Sequence, residues 1–393
     1  MSEPGSTTVQ LIGPGELSPC LQAIIALGLR LEQVRHHKEG SILNLSVRLL
    51  GQLSSEKAGA FESWARSNGL LSIVSGIETG RRACVSVTLL GDLRGGDALA
   101  TTIALIESQG LEVGATRPIG ERGPRGLELL VSNAAGKVGD DTLRTLRTTL
   151  LGKSLELDVD VAVERNDFYR RNRRMVCMDV DSTFVQGEFI DELAELAGVK
   201  PQVAEITARA MRGELDFEGA LRERVRLLRG LPMAQALELC ERYVPSPGAE
   251  DLVSSLKRLG VRVGLVSGGF DFFVERLRVQ YGLDFAFANQ LEVVDDRLSG
   301  NVVGSIVDGK RKAQLLRDMA SVFAIDVRQT IAVGDGANDI FMLEAAGLGI
   351  AYQAKPKLLA HADACFRHHN RLDTLLYLMG FDAPEVKDAC ALL

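Results

Sequence analysis

Residues 173–192 read RRMVCMDVDSTFVQGEFIDE, in which two aspartates, Asp179 and Asp181, directly follow the apolar run 175–178. On an extended chain, side chains two residues apart lie on the same side, so these two carboxylates are neighbours. Like charges at that distance repel each other. A nearby cation or a bound proton can reduce this repulsion, or the pair can be retained for a chemical function. The stretch therefore predicts a short buried strand whose end carries functional residues.

Two later apolar runs, VRVGLV at 261–266 and TIAV at 330–333, lead into Ser267 and into a glycine followed by Asp335. From about residue 170 such runs alternate with helical patterns, which is typical of a parallel sheet. The runs are apolar on both faces, as strands buried beneath helices must be. Ligands of open α/β sheets bind at the carboxyl ends of the strands, so we expect these three strand ends to converge on one site.

Between the first and second of these strands, about seventy residues show apolar spacing near 3.6, which predicts a helical insertion. Its helical segments read DELAELAGV, PQVAEITARAMRG, DFEGALRERVRLLRG and MAQALELCERYV. Because the insertion starts beside Asp181, we expect it to form a lid over the site.

Residues 1–165 contain a faint internal duplication. The first copy runs from TTVQLIG at 7–13 to LLSIVSG at 70–76, and the second from ACVSVTLLG at 83–91 to LELDVDVAVE at 155–164. Each copy predicts the order strand, helix, strand, strand, helix, strand, which is the ferredoxin-like arrangement. Neither copy holds a cluster of catalytic residue types, so we expect the chemistry in the other half of the chain.

Composition limits the possible functions. The chain has 393 residues and a formal net charge of -7, which argues against a general nucleic-acid binder, since such proteins show a basic face. No apolar run approaches the length of a membrane span, and the N-terminal residues lack a signal-peptide pattern. Six scattered cysteines without a CxxC pair predict a reducing, cytoplasmic environment.

The paired aspartates suit phosphoryl chemistry. A carboxylate such as Asp179 can attack a phosphoryl group and form an acyl phosphate that water later cleaves. A second carboxyl, Asp181, can protonate the leaving oxygen and then activate the water. A hard divalent cation such as Mg²⁺ would shield the charge of the incoming phosphate. A lone D-x-D occurs often in turns and caps, but its place at the end of a buried strand favours the catalytic interpretation.

The other two strand ends supply complementary groups. VSGGF at 266–270 offers the Ser267 hydroxyl and two glycines that let backbone N–H groups approach an anion. VGDGANDI at 333–340 groups oxygen-bearing side chains that suit a hard cation, namely Asp335, Asn338 and Asp339. A cation is still needed to hold phosphate. The helix DGKRKAQLLRDMA offers three basic residues, and spacing alone does not show which of them reaches the site: Lys310, Arg311 and Lys312.

These motifs carry a family resemblance. DVDST at 179–183, VSGG with a lysine downstream, and GDGAND resemble the sequential motifs of haloacid-dehalogenase-like phosphatases. Within that superfamily, the segments 211–228, 264–277 and 333–358 are similar to phosphoserine phosphatases nearly throughout. The resemblance covers residues 174–380. The duplicated N-terminal half is similar to the pair of ACT domains in longer bacterial phosphoserine phosphatases.

The resemblance implies an α/β fold in which a Rossmann-like parallel sheet carries a helical cap inserted after its first strand. Two ferredoxin-like ACT domains would precede it. The implied boundaries are ACT-like domains at 1–80 and 81–166, a phosphatase domain at 170–380 with its cap at about 186–246, and a tail at 381–393.

The resemblance also implies a role for each site residue. Asp179 would be the nucleophile and Asp181 the general acid and base, with Mg²⁺ held by Asp179, the backbone carbonyl of Asp181, and Asp335. The phosphate would be held by Ser267, Gly268 and Lys312. Residues expected to contact or cover the rest of the substrate are Glu188 at its ammonium, Arg224 at its carboxylate, Met211, Phe217 and Asn338. Thr183 and Asp339 would support the site.

Spacing alone would assign some of these residues a purely structural role. Met211 and Phe217 would be core residues, and Arg224 would be one of several solvated helix arginines. Only the family position singles them out.

The implied activity is Mg²⁺-dependent hydrolysis of O-phospho-L-serine to L-serine and phosphate through an aspartyl-phosphate, the final step of L-serine biosynthesis. One alternative is a related phosphatase of the superfamily that acts on another small phosphomonoester or on a phosphoprotein. A second alternative, from a different class, is an ACT-type amino-acid sensor with a vestigial phosphatase domain. We expect a homodimer, because ACT domains commonly pair.

The ACT-like half departs from its family at the expected effector loop. That loop, GPGELSPC, has Leu17 where an aspartate is expected and Cys20 where a glycine is expected. The second copy reads GDLRGGDA and has no proline. Regulation by serine therefore does not follow from the resemblance, and an amino-acid effector at these domains stays an open alternative.

Overall fold

The computed structural model describes residues 6–14, 16–28, 30–39, 42–50, 53–76, 83–93, 97–119, 126–133 and 135–381. The chain divides into two compact units, Met1–Asp167 and Phe168–Leu393. The predicted tail after residue 381 lies outside the described residues. Within the described ranges, no helix combines the length and the apolar character that a membrane crossing requires.

The first unit contains two copies of one arrangement. The first copy consists of β1 (Ser6–Pro14), α1 (Leu17–Ile25), β2 (Arg30–Glu39), β3 (Ile42–Leu50), α2 (Ser55–Ser67) and β4 (Leu71–Gly76). The second consists of β5 (Val85–Gly91), α3 (Asp97–Ser108), β6 (Glu112–Ile119), β7 (Gly126–Ser132), α4 (Asp140–Leu157) and β8 (Val159–Arg165). The strand orders, β2-β3-β1-β4 and β8-β5-β7-β6, are equivalent, and all these pairings are antiparallel. Both copies therefore have the predicted ferredoxin-like order.

The loop after β1 leads directly into a helix that packs on the sheet. Leu17, at the position where an acid was expected, begins α1 and packs against the core of the first copy. Cys20 lies one turn later and is buried in the same core. Both side chains therefore stabilise the first copy by burial of apolar surface.

One predicted boundary in the second copy is wrong. The sequence pattern assigned 155–164 to a strand, but α4 continues past Gly152 to Leu157, and Asp158 ends it in the left-handed conformation with φ 53°. A single glycine weakens a helix by only about 1 kcal/mol. The buried face of α4, which includes Leu150, Leu151 and Ser154, outweighs that cost.

The second unit is built on a mainly parallel sheet. Its strands are β9 (Met175–Met178), β10 (Arg262–Phe270), β11 (Phe285–Val294), β12 (Arg297–Val303), β13 (Thr330–Gly334), β14 (Leu348–Tyr352) and β15 (Ala364–Phe366). Their order is β12-β11-β10-β9-β13-β14-β15, and only the β11–β12 pairing is antiparallel. The strands β9 and β13 are buried throughout, as their apolar runs predicted, and β14 is also buried.

Helices fill the connections of this sheet. Four of them, α5 (Phe189–Leu196), α6 (Lys200–Met211), α7 (Phe217–Leu227) and α8 (Met233–Cys240), form the insertion after β9. The others are α9 (Ala249–Arg258), α10 (Asp271–Tyr281), α11 (Gly309–Val322), α12 (Ile340–Ala345), α13 (Pro356–Leu359) and α14 (Leu375–Leu378). The insertion is therefore helical, as its apolar spacing predicted.

The register of the central strands brings their ends together. Met178 at the end of β9 pairs with Leu265 of β10 on one side and with Val333 of β13 on the other. Because these strands are parallel, Asp179, Ser267 and Asp335 leave the sheet at the same edge.

Candidate active site

Asp179 is fixed where β9 ends. Its backbone N–H donates to the carbonyl of Val333 at 2.9 Å, which continues the pairing with β13. Its Oδ1 accepts a hydrogen bond from the Val180 N–H at 2.7 Å, and only 3% of the residue surface is exposed. The carboxylate is therefore held at the sheet edge in a nearly dry environment.

A tight turn over residues 180–184 follows Asp179. Ser182 adopts the left-handed conformation, with φ 56°, which L-residues seldom use. Its N–H donates to the Gly187 carbonyl at 2.9 Å, and its hydroxyl donates to Glu188 Oε1 at 3.1 Å. These two bonds hold the strained residue and tie the turn to the start of the helical insertion.

Asp181 points back toward the same edge. Its Oδ1 accepts from the Phe189 N–H at 2.7 Å, and its Oδ2 lies 3.4 Å from the Ser267 hydroxyl. Burial, then the charges of Glu188 and Asp179, raise the pKa of Asp181 to about 7, although the Phe189 hydrogen bond and Lys312 oppose the shift. A carboxyl with that pKa can both give and take a proton near neutral pH, as a general acid and base must.

Three carboxylates gather at the strand ends. Asp179, Asp335 and Asp339 each place an oxygen within 4.8 Å of the others. Burial, followed by the neighbouring carboxylates, raises the pKa of Asp335 to about 8. Burial and Asp179 raise the pKa of Asp339 to about 6, against the lowering effect of Lys312. The cluster is thus short of positive charge.

Lys312 contacts two carboxylates of this cluster. Its Nζ lies 2.8 Å from Asp179 Oδ1 and 2.8 Å from Asp339 Oδ1, and the side chain is fully buried. Burial disfavours its charge, but the two carboxylates outweigh that effect and raise the lysine pKa. Lys310 is exposed and Arg311 pairs with Asp318, so α11 presents only its third basic residue to the site.

The donor set fits a hard divalent cation. One lysine faces three carboxylates, which leaves negative charge in a buried place, and carboxylate oxygens are the ligands that Mg²⁺ prefers. Asp339 has both oxygens engaged, with Oδ1 on Lys312 and Oδ2 accepting the Gly336 N–H at 3.1 Å. Asp179 and Asp335 therefore retain the greater capacity for a metal ion.

Close packing explains the two glycines of the GDGAND motif, Gly334 and Gly336. A Cβ on Gly334 would stand 2.4 Å from the carboxyl carbon of Asp339, and one on Gly336 would stand 2.4 Å from Asn338 Oδ1. Side chains at either position would displace the groups that form the cluster. Asn338 thus folds over Gly336 beside the carboxylates.

Two glycines follow Ser267 at the end of β10. The Ser267 hydroxyl oxygen accepts the Gly269 N–H at 2.7 Å, and Ser267 is fully buried. A Cβ on Gly269 would stand 2.9 Å from Asp181 Oδ2, so this glycine is needed for the close approach of Asp181. This end of β10 therefore sets a hydroxyl and glycine backbone next to the second aspartate.

The helical insertion contributes opposite charges to the same region. Glu188 is in contact with solvent. The protein atoms around it nevertheless desolvate its carboxylate and raise its pKa, and the hydrogen bond that it accepts from Ser182 only partly offsets this effect. Arg224 on α7 is half-buried, and burial lowers its pKa, whereas the charges of Glu188, Asp191 and Asp181 raise it. An acidic and a basic group thus lie near Asp181, where they suit a zwitterionic ligand.

The remaining predicted residues have different environments. The ring of Phe217 rests on the end of β10, since a Cβ on Gly268 would stand 2.9 Å from Phe217 Cζ. Met211, in contrast, is 74% exposed, so its interpretation as a core residue from helical spacing is wrong. It is the last residue of α6. Thr183 is buried, and its hydroxyl finds no hydrogen-bond partner among the described residues.

Sequence reasoning missed three contributors. The Phe189 N–H that binds Asp181 is a backbone group, which residue identity does not reveal. Lys355 follows β14 and lowers the pKa of both Glu188 and Asp335 by its charge; a basic residue just after a strand end was the available signal. Tyr243 packs against Phe189 with ring centroids 5.3 Å apart, and its apolar surroundings gave no signal.

Comparison with known proteins agrees with this geometry. A family model described as haloacid dehalogenase-like hydrolase matches residues 174–347. A haloacid dehalogenase family hydrolase from Salmonella enterica serovar Typhi superposes with a TM-score of 0.63 at 30% identity, over 75% of this chain and 98% of that one. A phosphoserine phosphatase solved as a phospho-aspartyl intermediate analogue superposes with a TM-score of 0.50 at 43% identity, over 52% of this chain and 98% of that one.

A curated relative extends the similarity into the N-terminal half. The phosphoserine phosphatase of Streptomyces coelicolor is 42% identical over 341 residues, which are 86% of this chain and 81% of the relative. Identity of that size over most of both chains is shared descent, not only a shared fold. The chain therefore belongs to the phosphoserine phosphatases of the haloacid dehalogenase-like hydrolases.

Proposed function

We propose that the protein is a Mg²⁺-dependent phosphatase that hydrolyses O-phospho-L-serine to L-serine and phosphate. The observation that carries the proposal is the buried Asp179 carboxylate, held 2.8 Å from the Lys312 ammonium at the edge where three parallel strands end. A nucleophile beside a fixed cation suits attack on a phosphoryl group. Family membership adds the substrate, since the relative from Streptomyces coelicolor is a phosphoserine phosphatase.

In the first step an Asp179 oxygen attacks phosphorus, and the bond between phosphorus and the serine oxygen breaks. Asp181 gives its proton to that oxygen, so L-serine leaves and an aspartyl-phosphate remains. In the second step Asp181 takes a proton from water, the water oxygen attacks phosphorus, and the bond to Asp179 breaks. The pKa of about 7 for Asp181 supports both roles.

Mg²⁺ would be held by Asp179, Asp335 and the backbone carbonyl of Asp181. Its chemistry is to neutralise phosphate charge as the nucleophile approaches. Asp339 has a different task in this proposal, because its oxygens already bind Lys312 and the Gly336 N–H. It keeps Lys312 charged and aimed at the position of the phosphate.

The phosphate would lie between Lys312 and the end of β10 at Ser267 and Gly268. At the other end of the substrate, Glu188 would bind the ammonium and Arg224 the carboxylate, which a guanidinium can hold with two parallel hydrogen bonds. Phe217 would cover the bound amino acid, with Met211, Asn338 and Thr183 beside it. The helices α5 to α8 would therefore act as a cap.

For the first unit we propose a pair of ACT domains that joins two copies of the chain. The two ferredoxin-like strand orders support this assignment. The burial of Leu17 against the core and of Cys20 within it argues against an effector site at the loop after β1. Sedimentation analysis with and without L-serine would detect a dimer and any change on addition of the amino acid.

The test is release of inorganic phosphate from O-phospho-L-serine, measured with Mg²⁺ and with a chelator. We expect turnover only with the metal, and a loss of at least about 10⁴-fold in Asp179→Asn. Asp318→Asn, an equivalent change on the exposed face of α11, is the matched control and should keep wild-type turnover. Full activity in Asp179→Asn would overturn the covalent route. A preference for O-phospho-L-threonine or another phosphomonoester would overturn the substrate.

A further inference from the structure

The carboxamide of Asn289 links the two segments that carry the groups proposed to hold the phosphate. Asn289 lies within β11 and is fully buried. Its Nδ2 donates to the carbonyl oxygen of Gly268 at 2.9 Å, and its Oδ1 accepts from the Val307 N–H at 2.8 Å. One side chain therefore bonds to the backbone of two different segments of the chain.

The first of these segments is the end of β10. Gly268 stands between Ser267, whose hydroxyl oxygen accepts the Gly269 N–H, and Gly269 itself. Because Asn289 holds the Gly268 carbonyl on the side of β11, the orientation of the peptide planes in this segment depends on that bond.

The second segment leads into α11. Val307 precedes Asp308, which caps the helix by accepting the Arg311 N–H at 2.8 Å. One turn further on, Lys312 donates its N–H to the Asp308 carbonyl at 2.9 Å and sends its ammonium to Asp179 and Asp339. The position of the Val307 N–H therefore sets the start of the helix that carries Lys312.

We propose that Asn289 is a positioning residue that fixes the spacing between the Ser267–Gly268 segment and the Lys312 ammonium, and so fits that spacing to a phosphoryl group. The inference rests on the proposed function, in which both groups hold the phosphate. It concerns only the phosphate end of the substrate. Asn289 touches neither the substrate nor Lys312 and acts through the two backbones that it joins.

Asparagine suits this position for a chemical reason. A carboxamide offers a donor and an acceptor on one short, rigid arm. An aspartate would keep the acceptor for Val307 but would face the Gly268 carbonyl with a second acceptor, and an alanine would leave both backbone groups unpaired. Buried groups left without partners are costly, so either change should let the two segments shift.

The experiment compares Asn289→Asp and Asn289→Ala with Gln290→Glu, an amide-to-acid change at the exposed neighbouring residue of the same strand. We expect KM for O-phospho-L-serine, KM for p-nitrophenyl phosphate and the inhibition constant of inorganic phosphate all to rise by a similar factor, roughly 10- to 100-fold, in Asn289→Asp. The preference for phosphoserine over p-nitrophenyl phosphate should stay unchanged, as should all constants of Gln290→Glu.

A merely structural role would give a different result. Loss of folded protein lowers the apparent kcat and leaves KM and the phosphate inhibition constant as they were, and that result would overturn the proposal. If Asn289→Asp fails to fold, Asn289→Ala and Asn289→Ser, which place no charge in the core, give the same comparison. A wrong substrate assignment would show instead as poor phosphoserine turnover in the wild type, while the inorganic phosphate measurement still reports on Asn289.

Discussion

Asp181 Oδ1 and the backbone N–H of Phe189 are joined by a hydrogen bond of 2.7 Å. The bond ties the second aspartate of the motif to the first residue of α5, and it uses only one of the two carboxylate oxygens. An asparagine at this position keeps an oxygen for Phe189 but has no proton to give or take. Asp181→Asn is therefore a clean probe of proton transfer.

We expect Asp181→Asn to lower turnover of O-phospho-L-serine by roughly 10²- to 10⁴-fold, the usual contribution of a general acid and base. With p-nitrophenyl phosphate the leaving group needs no proton, so the aspartyl-phosphate should form and then hydrolyse slowly. Rapid mixing should show a burst of p-nitrophenolate close to one equivalent per active site. A uniform loss on both substrates without a burst would contradict this role.

Arg224 should determine selectivity for the amino-acid part of the substrate. In Arg224→Ala we expect kcat/KM for O-phospho-L-serine to fall by roughly 10- to 100-fold, the value of a charge-assisted hydrogen bond lost from a half-buried site. Phosphoethanolamine lacks the carboxylate, so its kcat/KM should change little. Arg222→Ala is the matched control, because Arg222 lies on the same helix and pairs with Glu218 at 2.8 Å. Equal losses on both substrates would show that Arg224 does not bind the substrate carboxylate.

Two substitutions of Ser182 test its backbone conformation and its hydroxyl group separately. Its φ of 56° suits glycine and disfavours β-branched residues by about 1–2 kcal/mol. Ser182→Val should therefore lower the melting temperature by several degrees, whereas Ser182→Gly should not. Ser182→Gly still loses the hydroxyl that binds Glu188, so its KM for O-phospho-L-serine should rise severalfold. Calorimetry and steady-state kinetics on the two variants would check both parts, and a stable Ser182→Val would refute the first.

The carboxylate cluster should make the stability of the metal-free protein depend on pH. The pKa of Asp335 is about 8 in the folded chain against an ordinary value of 3.8, so between these values the folded state holds a proton that the unfolded state has lost. Stability therefore falls as pH rises through this window, by at most about 1.4 kcal/mol per pH unit for this one group.

Thermal unfolding between pH 5 and pH 8 with a chelator would measure this slope. Asp335→Asn should make this slope shallower, with Asp181 and Asp339 supplying the rest, and should be more stable than the wild type at pH 8 without metal. Excess Mg²⁺ should stabilise the wild type at pH 8 and have little effect on the variant, since a ligand that binds only the folded state shifts unfolding by mass action. A wild type whose stability is independent of both pH and Mg²⁺ would contradict the proposed metal site.

The sequence predicted the parts of the fold that follow from periodicity. The α/β class, the helical insertion and the meeting of three strand ends are confirmed, because buried parallel strands and amphipathic helices each leave a regular pattern. Spacing could not choose Lys312 over Lys310 or Arg311, since the rotation of α11 depends on contacts made at its start. Met211 shows the limit of periodicity: it lies in phase with a helical stripe and yet is exposed at the end of α6.

Other features leave no pattern in a sequence. Asn289 lies in mid-strand, where a polar residue is ordinarily interpreted as a solvated one, and only its two backbone partners reveal its importance. Residues 155–157 fit a strand pattern because the tertiary burial that extends α4 through them is not visible locally. The assigned roles of the site residues stay predictions until the variants above are measured.

The contact between Phe217 and Gly268 has a consequence for what can enter. An aromatic ring rests on a residue that has only hydrogen as its side chain, 2.9 Å from where a methyl group would stand. A free phosphorylated amino acid is small enough to lie beneath such a ring. A phosphorylated side chain within a polypeptide brings main chain on both flanks, and α7 would have to move away to admit it. If Phe217 covers the bound amino acid as proposed, this contact would favour free phosphorylated amino acids over phosphorylated proteins by size.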